Sequence, residues 1–176
     1  MNSLNKNTQP LRVNVGFVLK KGVGYSRELP FDEPILRVAD DLTVAQLHGS
    51  LTLTRTPQGL YAKGTLRART PTECVKCLVP IEQSVTSRID ELFFYPPEDA
   101  PEGSPVVGED VHLDLTPLVR EDMLLSLPMR ILCKPDCKGL CPECGQNLNE
   151  GACTCAAEEH DPRWRSLSRL SQDSSE

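Results

Sequence analysis

Six of the eight cysteines in this chain lie close together, with spacings typical of a metal-binding segment. They follow the pattern Cys133-x3-Cys137-x3-Cys141-x2-Cys144-x8-Cys153-x-Cys155, and a separate pair, Cys74-x2-Cys77, lies upstream. Zinc is borderline soft and accepts four thiolates tetrahedrally, so cysteines at short spacing suit it well. Eight thiols suffice for two four-thiolate sites. The spacing therefore predicts one or two bound zinc ions.

Two other uses of the cysteines remain open. Disulfides would suit a small secreted domain, but residues 1–10 are polar and lack the apolar core of an export signal. We therefore predict a cytoplasmic location, where thiols stay reduced. Iron is an alternative to zinc, because the Cys-Pro-Glu-Cys-Gly turn also serves mononuclear iron sites. In that turn Gly145 is expected to adopt a positive φ.

The division of the ligands between sites cannot be read from local spacing alone. Cys74 and Cys77 need two more thiols, and these are available only in the C-terminal cluster. Six clustered cysteines are two more than one ion requires. We therefore predict one site containing Cys74, Cys77 and two cysteines of the cluster, and a second site formed by the other four.

Composition predicts a protein without a membrane span or a general affinity for nucleic acid. Hydrophobic residues make up 39% of the chain, aromatic residues 5%, and no apolar run approaches a membrane span. The low aromatic content indicates that metal ligation adds stability that packing alone does not provide. The net charge of -6 disfavours bulk binding to phosphates. Any RNA contact must be local, and the candidate patch is Lys63, Arg67 and Arg69 on one strand face, extended by Lys76.

Periodicity predicts an α+β fold, with an antiparallel sheet or partly open barrel, one main helix and a C-terminal zinc-bound segment. Alternating apolar residues indicate strands over residues 11–19, 47–53, 60–68 and 81–93, with a short strand at 111–113. Residues 20–28 look like an open loop, and Pro30 and Pro34 discourage regular structure after it. Cys74 and Cys77 fall on the turn between two strands. The main helix is expected to start near Asp114 or Thr116 and to end at Pro128.

These elements suggest three regions. Residues 1–128 form the sheet domain, with a flexible acidic loop at 96–110. Residues 129–170 form the cysteine-rich metal-binding segment packed on it, in which Trp164 is expected to anchor the tail. Residues 171–176 are predicted to be a disordered tail.

No motif for catalysis is visible in the sequence. Phosphate-binding glycine loops, nucleophile elbows and the HExxH motif are all missing, so we predict no enzymatic activity, catalytic residue or small-molecule substrate. A protein of another class remains possible. The CxxC pair Cys141/Cys144 beside the CxC pair Cys153/Cys155 is also what a redox-switched zinc protein would use.

The cysteine motifs resemble those of the YceD-like family of large-subunit ribosomal RNA accumulation proteins. The resemblance rests on the run from Cys137 to Asn149, the Cys153-x-Cys155 pair and Asp161-Pro162-Arg163. It extends to the Cys74-x2-Cys77 pair, the Asp114-Leu115 helix start and the run from Arg120 to Pro128, and so covers about residues 60–170.

This resemblance implies a non-enzymatic cytoplasmic factor that supports synthesis, processing or stability of 23S ribosomal RNA. The implied partners are large-subunit ribosomal RNA or ribosomal proteins. A membrane partner is not expected.

Overall fold

The computed structural model describes residues 11–155, and the expectations for Trp164 and the tail at 171–176 lie outside this range. Contacts divide the described chain into two compact units. The sheet unit contains residues 11–75 and 79–133, and the cysteine-rich unit contains residues 76–78 and 134–155. None of the helices in the described part is long and apolar enough to cross a membrane.

The sheet unit is built on four long antiparallel strands in the order β2-β3-β4-β5. They are β2 (Ser26–Ala39), β3 (Leu42–Thr56), β4 (Gly59–Glu73) and β5 (Pro80–Phe94). The strands predicted over 47–53, 60–68 and 81–93 fall within β3, β4 and β5, and a tight turn joins β3 to β4. The sheet is open, with β2 and β5 as its edges, and most of the structure is antiparallel sheet.

The remaining elements of the sheet unit are short. They are β1 (Arg12–Asn14), α1 (Gly16–Leu19), a 3-10 helix (Pro97–Asp99), β6 (His112–Asp114) and α2 (Thr116–Leu125). β1 and β6 pair antiparallel as a separate two-stranded sheet. The core includes fully buried leucines of β3 and β4, to which α1 adds Val18 and α2 adds Val119 and Met123.

The single strand expected over residues 11–19 is wrong beyond Asn14. The side chain of Asn14 accepts a hydrogen bond from the Gly16 N–H at 3.0 Å, and the chain turns into α1 at that point. Val15 and Val18 are both buried, and this three-residue spacing fits one face of a helical turn but not the two-residue period of a strand. The alternation was therefore ambiguous over this short segment.

The expectation that Pro30 and Pro34 break regular structure is also wrong. Both lie within β2, an edge strand whose buried residues include Phe31, Leu36 and Val38. Proline is tolerated on an edge strand where its missing N–H would face away from the neighbouring strand. An isolated sequence does not show which strands become edges.

Side chains of α2 form hydrogen bonds with the outer edge of β5. Asp122 Oδ2 accepts hydrogen bonds from Ser87 Oγ at 2.8 Å and from the Arg88 N–H at 3.1 Å, and Ser126 Oγ accepts one from the Thr86 N–H at 3.0 Å. Arg120 forms a two-pronged ion pair with Asp41 in the β2–β3 turn. These contacts fix which face of α2 meets solvent.

Residues 96–110, expected to be a flexible acidic loop, contain the 3-10 helix and then return to the end of β5. The Phe94 N–H donates to Pro105 O at 2.9 Å, and the Val107 N–H donates to Phe94 O at 3.0 Å. Val107 is fully buried. The returning segment therefore covers the last residues of the β5 edge.

Candidate metal centres

The eight cysteines form two groups of four. The Sγ atoms of Cys74, Cys77, Cys133 and Cys137 all lie within 4.8 Å of one another, and so do those of Cys141, Cys144, Cys153 and Cys155. We call these the first and second tetrads. A tetrahedral ion with metal–sulfur bonds of about 2.3 Å requires sulfur–sulfur distances of about 3.8 Å, so both groups are close enough to hold a metal. The structure thus brings Cys74 and Cys77 together with two cluster cysteines.

Cys74 lies at the start of the turn that joins β4 to β5. The Cys74 N–H donates to Val79 O at 3.0 Å, which closes the turn as β4 ends. The Val75 N–H donates to Ile131 O at 3.0 Å and so places this turn beside the residues that lead to Cys133. The prediction that the upstream pair lies on a turn between two strands is confirmed.

Within the cysteine-rich unit, Lys76 holds the short 76–78 segment against the segment that follows Lys134. Its Nζ donates to Cys137 O at 2.9 Å, and its backbone oxygen accepts from the Leu140 N–H at 3.1 Å. These contacts place Cys77 near Cys137. Lys76 was expected to extend an RNA-binding patch, but its ammonium group is engaged in positioning a cysteine-bearing loop.

Asn149 supports the first tetrad and was not singled out as a site residue from the sequence. Its Nδ2 donates to Cys137 Sγ at 3.4 Å, and its Oδ1 accepts from the Lys138 N–H at 3.0 Å. An N–H donor stabilises the negative charge of a thiolate and orients it, as outer-shell partners of metal ligands do. The sequence signal that pointed to this residue was its place among the polar residues that follow Cys144.

The second tetrad begins at a turn with the geometry expected of a zinc knuckle. The Gly145 N–H donates to Cys141 O at 2.9 Å, and the Cys141 N–H donates to Gln146 O at 2.8 Å. Gly145 has a φ of 73°, which confirms the expected positive value. Leu78 occupies the equivalent position after Cys77 and also has a positive φ, 57°. The two CxxC turns thus share one backbone design.

The electrostatics of the second tetrad favour one thiolate before any metal is added. Backbone N–H groups of Cys144 and Glu143, together with the Cys153 thiol, lower the pKa of Cys141 to about 7. The hydrogen bond from Cys155 to Cys144 raises the pKa of Cys155 to about 12. Cys141 is buried, whereas Cys144 and Cys155 are exposed. Backbone N–H groups that point toward a cysteine sulfur, as they do at Cys141, are characteristic of a thiolate metal ligand.

Lys63, Arg67 and Arg69 share the exposed outer face of β4, as their spacing predicts. Lys63 forms an ion pair with Asp90 at 3.5 Å, and Arg69 forms one with Glu82 at 3.2 Å. Asp90 lies directly opposite Lys63 on β5, and Glu82 lies diagonally from Arg69, opposite Pro71, so cross-strand pairing offsets two of the three charges. The sequence did not reveal this pairing, because the register between β4 and β5 was unknown.

The structure adds Arg88 and His48 to this outer face. Arg88 on β5 lies opposite Thr65, which is two residues before Arg67 on β4. His48 on β3 lies directly opposite Arg67. Among residues 11–155 no ion pair involves Arg67 or Arg88. These two arginines are therefore the cations of the sheet's outer face best placed to meet a phosphate.

A small antiparallel sheet protein with two tetracysteine centres is the class that this fold and these sites define. Residues 62–171 match the family described as "Large ribosomal RNA subunit accumulation protein YceD". Because this match covers more than half of the chain, the chain belongs to that family. No solved structure matches the chain significantly.

Relatives occur in bacteria and in plants. An uncharacterized protein of Mycobacterium tuberculosis is 37% identical over 114 residues, which cover 62% of this chain and 55% of the relative. The protein YlbN of Bacillus subtilis is 30% identical over 99 residues, or 55% of this chain and 58% of the relative. The chloroplastic YCED homolog 1 of Arabidopsis thaliana is 34% identical over 58 residues, or 33% of this chain and 18% of the relative. The chain spans about half the length of the mycobacterial relatives it matches.

Proposed function

We propose that this chain is a non-enzymatic cytoplasmic factor that supports the accumulation of large-subunit ribosomal RNA, and that both tetrads hold structural zinc. The observation that carries the ribosomal role is the family match over residues 62–171, together with plant relatives whose names state that function. Synthesis, processing and stability of 23S ribosomal RNA are the steps on which such a factor acts.

The geometry of the tetrads supports zinc as the metal. Four cysteine sulfurs and no carboxylate or histidine make up each group, a donor set that zinc prefers. Tetrahedral sites filled by four protein ligands leave no open position for a substrate, which fits a structural role. Elemental analysis of reduced protein is expected to give two zinc ions per chain. Iron in place of zinc, or native disulfides without metal, would overturn this part of the proposal.

The ribosomal role is tested in a deletion strain. Loss of the gene should lower mature 23S ribosomal RNA relative to 16S, and expression of the chain should restore it. Unchanged 23S levels in the deletion strain would remove the ribosomal role and leave the metal sites unaffected.

A second experiment asks whether the outer face of the sheet contacts RNA. An Arg67→Glu/Arg88→Glu variant reverses the two cations without ion pairs, and Lys63→Gln/Arg69→Gln serves as a control that removes the paired cations. If RNA meets this face, the first variant rescues 23S levels poorly and the control rescues better, provided that both fold and hold zinc. Full rescue by the charge-reversed variant would remove this face as an RNA contact and point to a protein partner instead.

Exposure of the second tetrad favours one alternative, a redox-switched zinc protein. Cys144 and Cys155 are exposed, so an oxidant such as a peroxide can reach them. Two thiolates would lose two electrons to the peroxide, form a disulfide and release the ion. Zinc release at low peroxide, with parallel loss of function in cells, would favour this alternative, whereas zinc retained under the same treatment would remove it.

A further inference from the structure

The sheet unit contains a cleft of about 470 Å³ that the metal sites and the outer face of the sheet do not use. The end of β5, the segment 103–106 and the first turns of α2 enclose it. Most of its lining is apolar, with contributions from Phe93, Pro105, Val106, Pro117 and Leu118. An apolar concave surface of this size is large enough for one or two side chains of a partner.

Backbone hydrogen bonds hold one wall of the cleft in place. Pro105 O and the Val107 N–H both bond to Phe94, so the segment runs beside the end of β5 like a short added strand. Val107 is fully buried beneath it, whereas Val106 is 41% exposed. The cleft is therefore formed before any partner arrives, which reduces the ordering cost of binding.

Three carboxylates, from Glu91, Asp114 and Glu121, line the same cleft. Glu91 shares the two-residue period of Val85, Ile89 and Phe93, which are buried on the inner face of β5, yet Glu91 itself is exposed. Glu91 is therefore a charged residue on the apolar face of the sheet, at the position where that face opens into the cleft. Neither Glu91 nor Glu121 forms an ion pair within residues 11–155, and no cationic side chain is among the lining residues.

The role of Glu121 stands out from its neighbours on α2. Arg120 pairs with Asp41, Asp122 accepts from Ser87, and Met123 is fully buried. Each of these side chains stabilises the fold. Glu121 is exposed in the cleft, and although its charge helps to raise the pKa of the neighbouring Arg120, it forms no hydrogen bond or ion pair among the described residues, so its carboxylate can meet a partner.

The edge of β5 beside the cleft also offers backbone groups. α2 covers the edge at Thr86 and Arg88, and the returning segment covers it at Phe94. By the two-residue period of a strand, Asp90 and Leu92 present their N–H and C=O groups outward between these covered ends. An extended peptide can pair with such an edge while its side chains enter the neighbouring pocket.

We propose that this cleft binds an extended basic segment of a protein partner, with Lys or Arg side chains at the carboxylates and an aliphatic or aromatic side chain on the apolar floor. The choice of partner rests on charge complementarity, because three carboxylates repel phosphates and attract cations. This inference goes beyond the proposed ribosomal role and does not depend on it.

The test measures binding of a short labelled peptide, in which Lys and Arg flank a central Leu-Phe pair, to the full zinc-loaded chain by fluorescence anisotropy. A peptide with Glu in place of the cations and a short single-stranded RNA serve as comparison probes. The cleft variant is Glu91→Gln/Glu121→Gln. The control variant, Glu28→Gln/Asp32→Asn, makes the same change in net charge on β2, at the opposite edge of the sheet.

We expect the basic peptide to bind the wild-type chain more tightly at low salt than at high salt, and the acidic peptide and RNA to bind weakly. Affinity of the cleft variant for the basic peptide should fall about three- to tenfold, since two exposed ion pairs are lost, and the control should change little. A Val106→Ser variant should also weaken binding, through the apolar floor.

Several results would overturn the proposal. These are no binding of the basic peptide by the wild type, equal losses in the cleft and control variants, or RNA bound more tightly than the peptide. The proposal would also be overturned if the cleft variant self-associates but still binds the peptide normally. That result would show that Glu91 protects the sheet edge from pairing with another copy, a role that inward-pointing charges often have. Because the readout is binding in vitro, the outcome is independent of 23S levels in the deletion strain.

Discussion

Replacement of Cys141 by serine should remove one zinc ion and unfold the second tetrad while the sheet stays folded. In residues 134–155 only Cys137, Gly139 and Cys141 are buried. Burial of two cysteine side chains contributes at most about 3 kcal/mol, whereas ligation of a structural zinc ion contributes on the order of 10 kcal/mol. With the proposed zinc bound, ligation is therefore the dominant stabilising term in this segment, and loss of one ligand should abolish order around the second tetrad.

The assay combines elemental analysis with hydrogen exchange of peptides from the reduced protein. The Cys141→Ser variant should contain one zinc ion where the wild type contains two. Amide exchange should accelerate in residues 141–155, and protection of β4 and β5 should persist because their core lies in the sheet unit. A Glu143→Gln variant alters an exposed side chain of the same turn without removing a sulfur, and it should match the wild type. Two zinc ions retained in Cys141→Ser, or unchanged exchange in 141–155, would refute the reasoning.

Three further predictions concern stability. Leu78→Gly should raise the free energy of unfolding by about 0.5–1 kcal/mol, because a φ of 57° strains a non-glycine residue; chemical denaturation measures this. Asp122→Ala should lower it by about 2–3 kcal/mol, since the buried Ser87 hydroxyl loses its acceptor, and adding Ser87→Ala should restore part of the loss. The hydrogen bond from Arg120 lowers the pKa of Asp41 below 3.8, so its stabilising effect is present above that pH and is lost as pH falls through the lower folded-state pKa. Thermal melts of Asp41→Asn should therefore differ from wild type near neutral pH and converge with it in acid.

The parts of the fold that sequence predicts well are those with one dominant period. Residues 47–53 of β3 and 60–68 of β4 alternate on either side of a Pro-Gln-Gly turn, so their pairing follows from local pattern, whereas the register shift between Ala45 and His48 does not. β2 was missed because its two prolines are acceptable only at an edge, which is a property of the assembled sheet. The segment at 11–19 was misassigned because a hydrogen bond from the Gly16 N–H to the side chain of Asn14 favours a helical turn over a strand at that point.

The number and spacing of the cysteines predicted a division into two groups of four, but not which cluster cysteines join the upstream pair. Counting thiols required Cys74 and Cys77 to meet two cysteines of the cluster, and the structure brings Cys133 and Cys137 to them. Spacing alone did not identify Cys133 and Cys137 among the six cysteines of the cluster. Their position depends on the hydrogen bond from the Val75 N–H to Ile131 O and on the contacts of Lys76. Both are long-range contacts without a local sequence signal.

The two charged surfaces of the sheet unit differ in how completely their charges are paired, and this difference bears on the kind of partner that each surface can bind. On the outer face, cross-strand acids offset Lys63 and Arg69, so Arg67 and Arg88 are the cations without an ion pair among the described residues that an approaching phosphate meets. In the cleft, Glu91 and Glu121 form no ion pair among the described residues, although Arg120 lies close enough to Glu121 to feel its charge, so an approaching basic segment meets carboxylates that no ion pair occupies. A cleft of this charge suits a basic protein segment better than it suits RNA. If the proposed ribosomal role acts through such a segment, Glu91→Lys/Glu121→Lys should rescue 23S levels less well than Arg67→Glu, and the reverse order would favour RNA contact at the outer face.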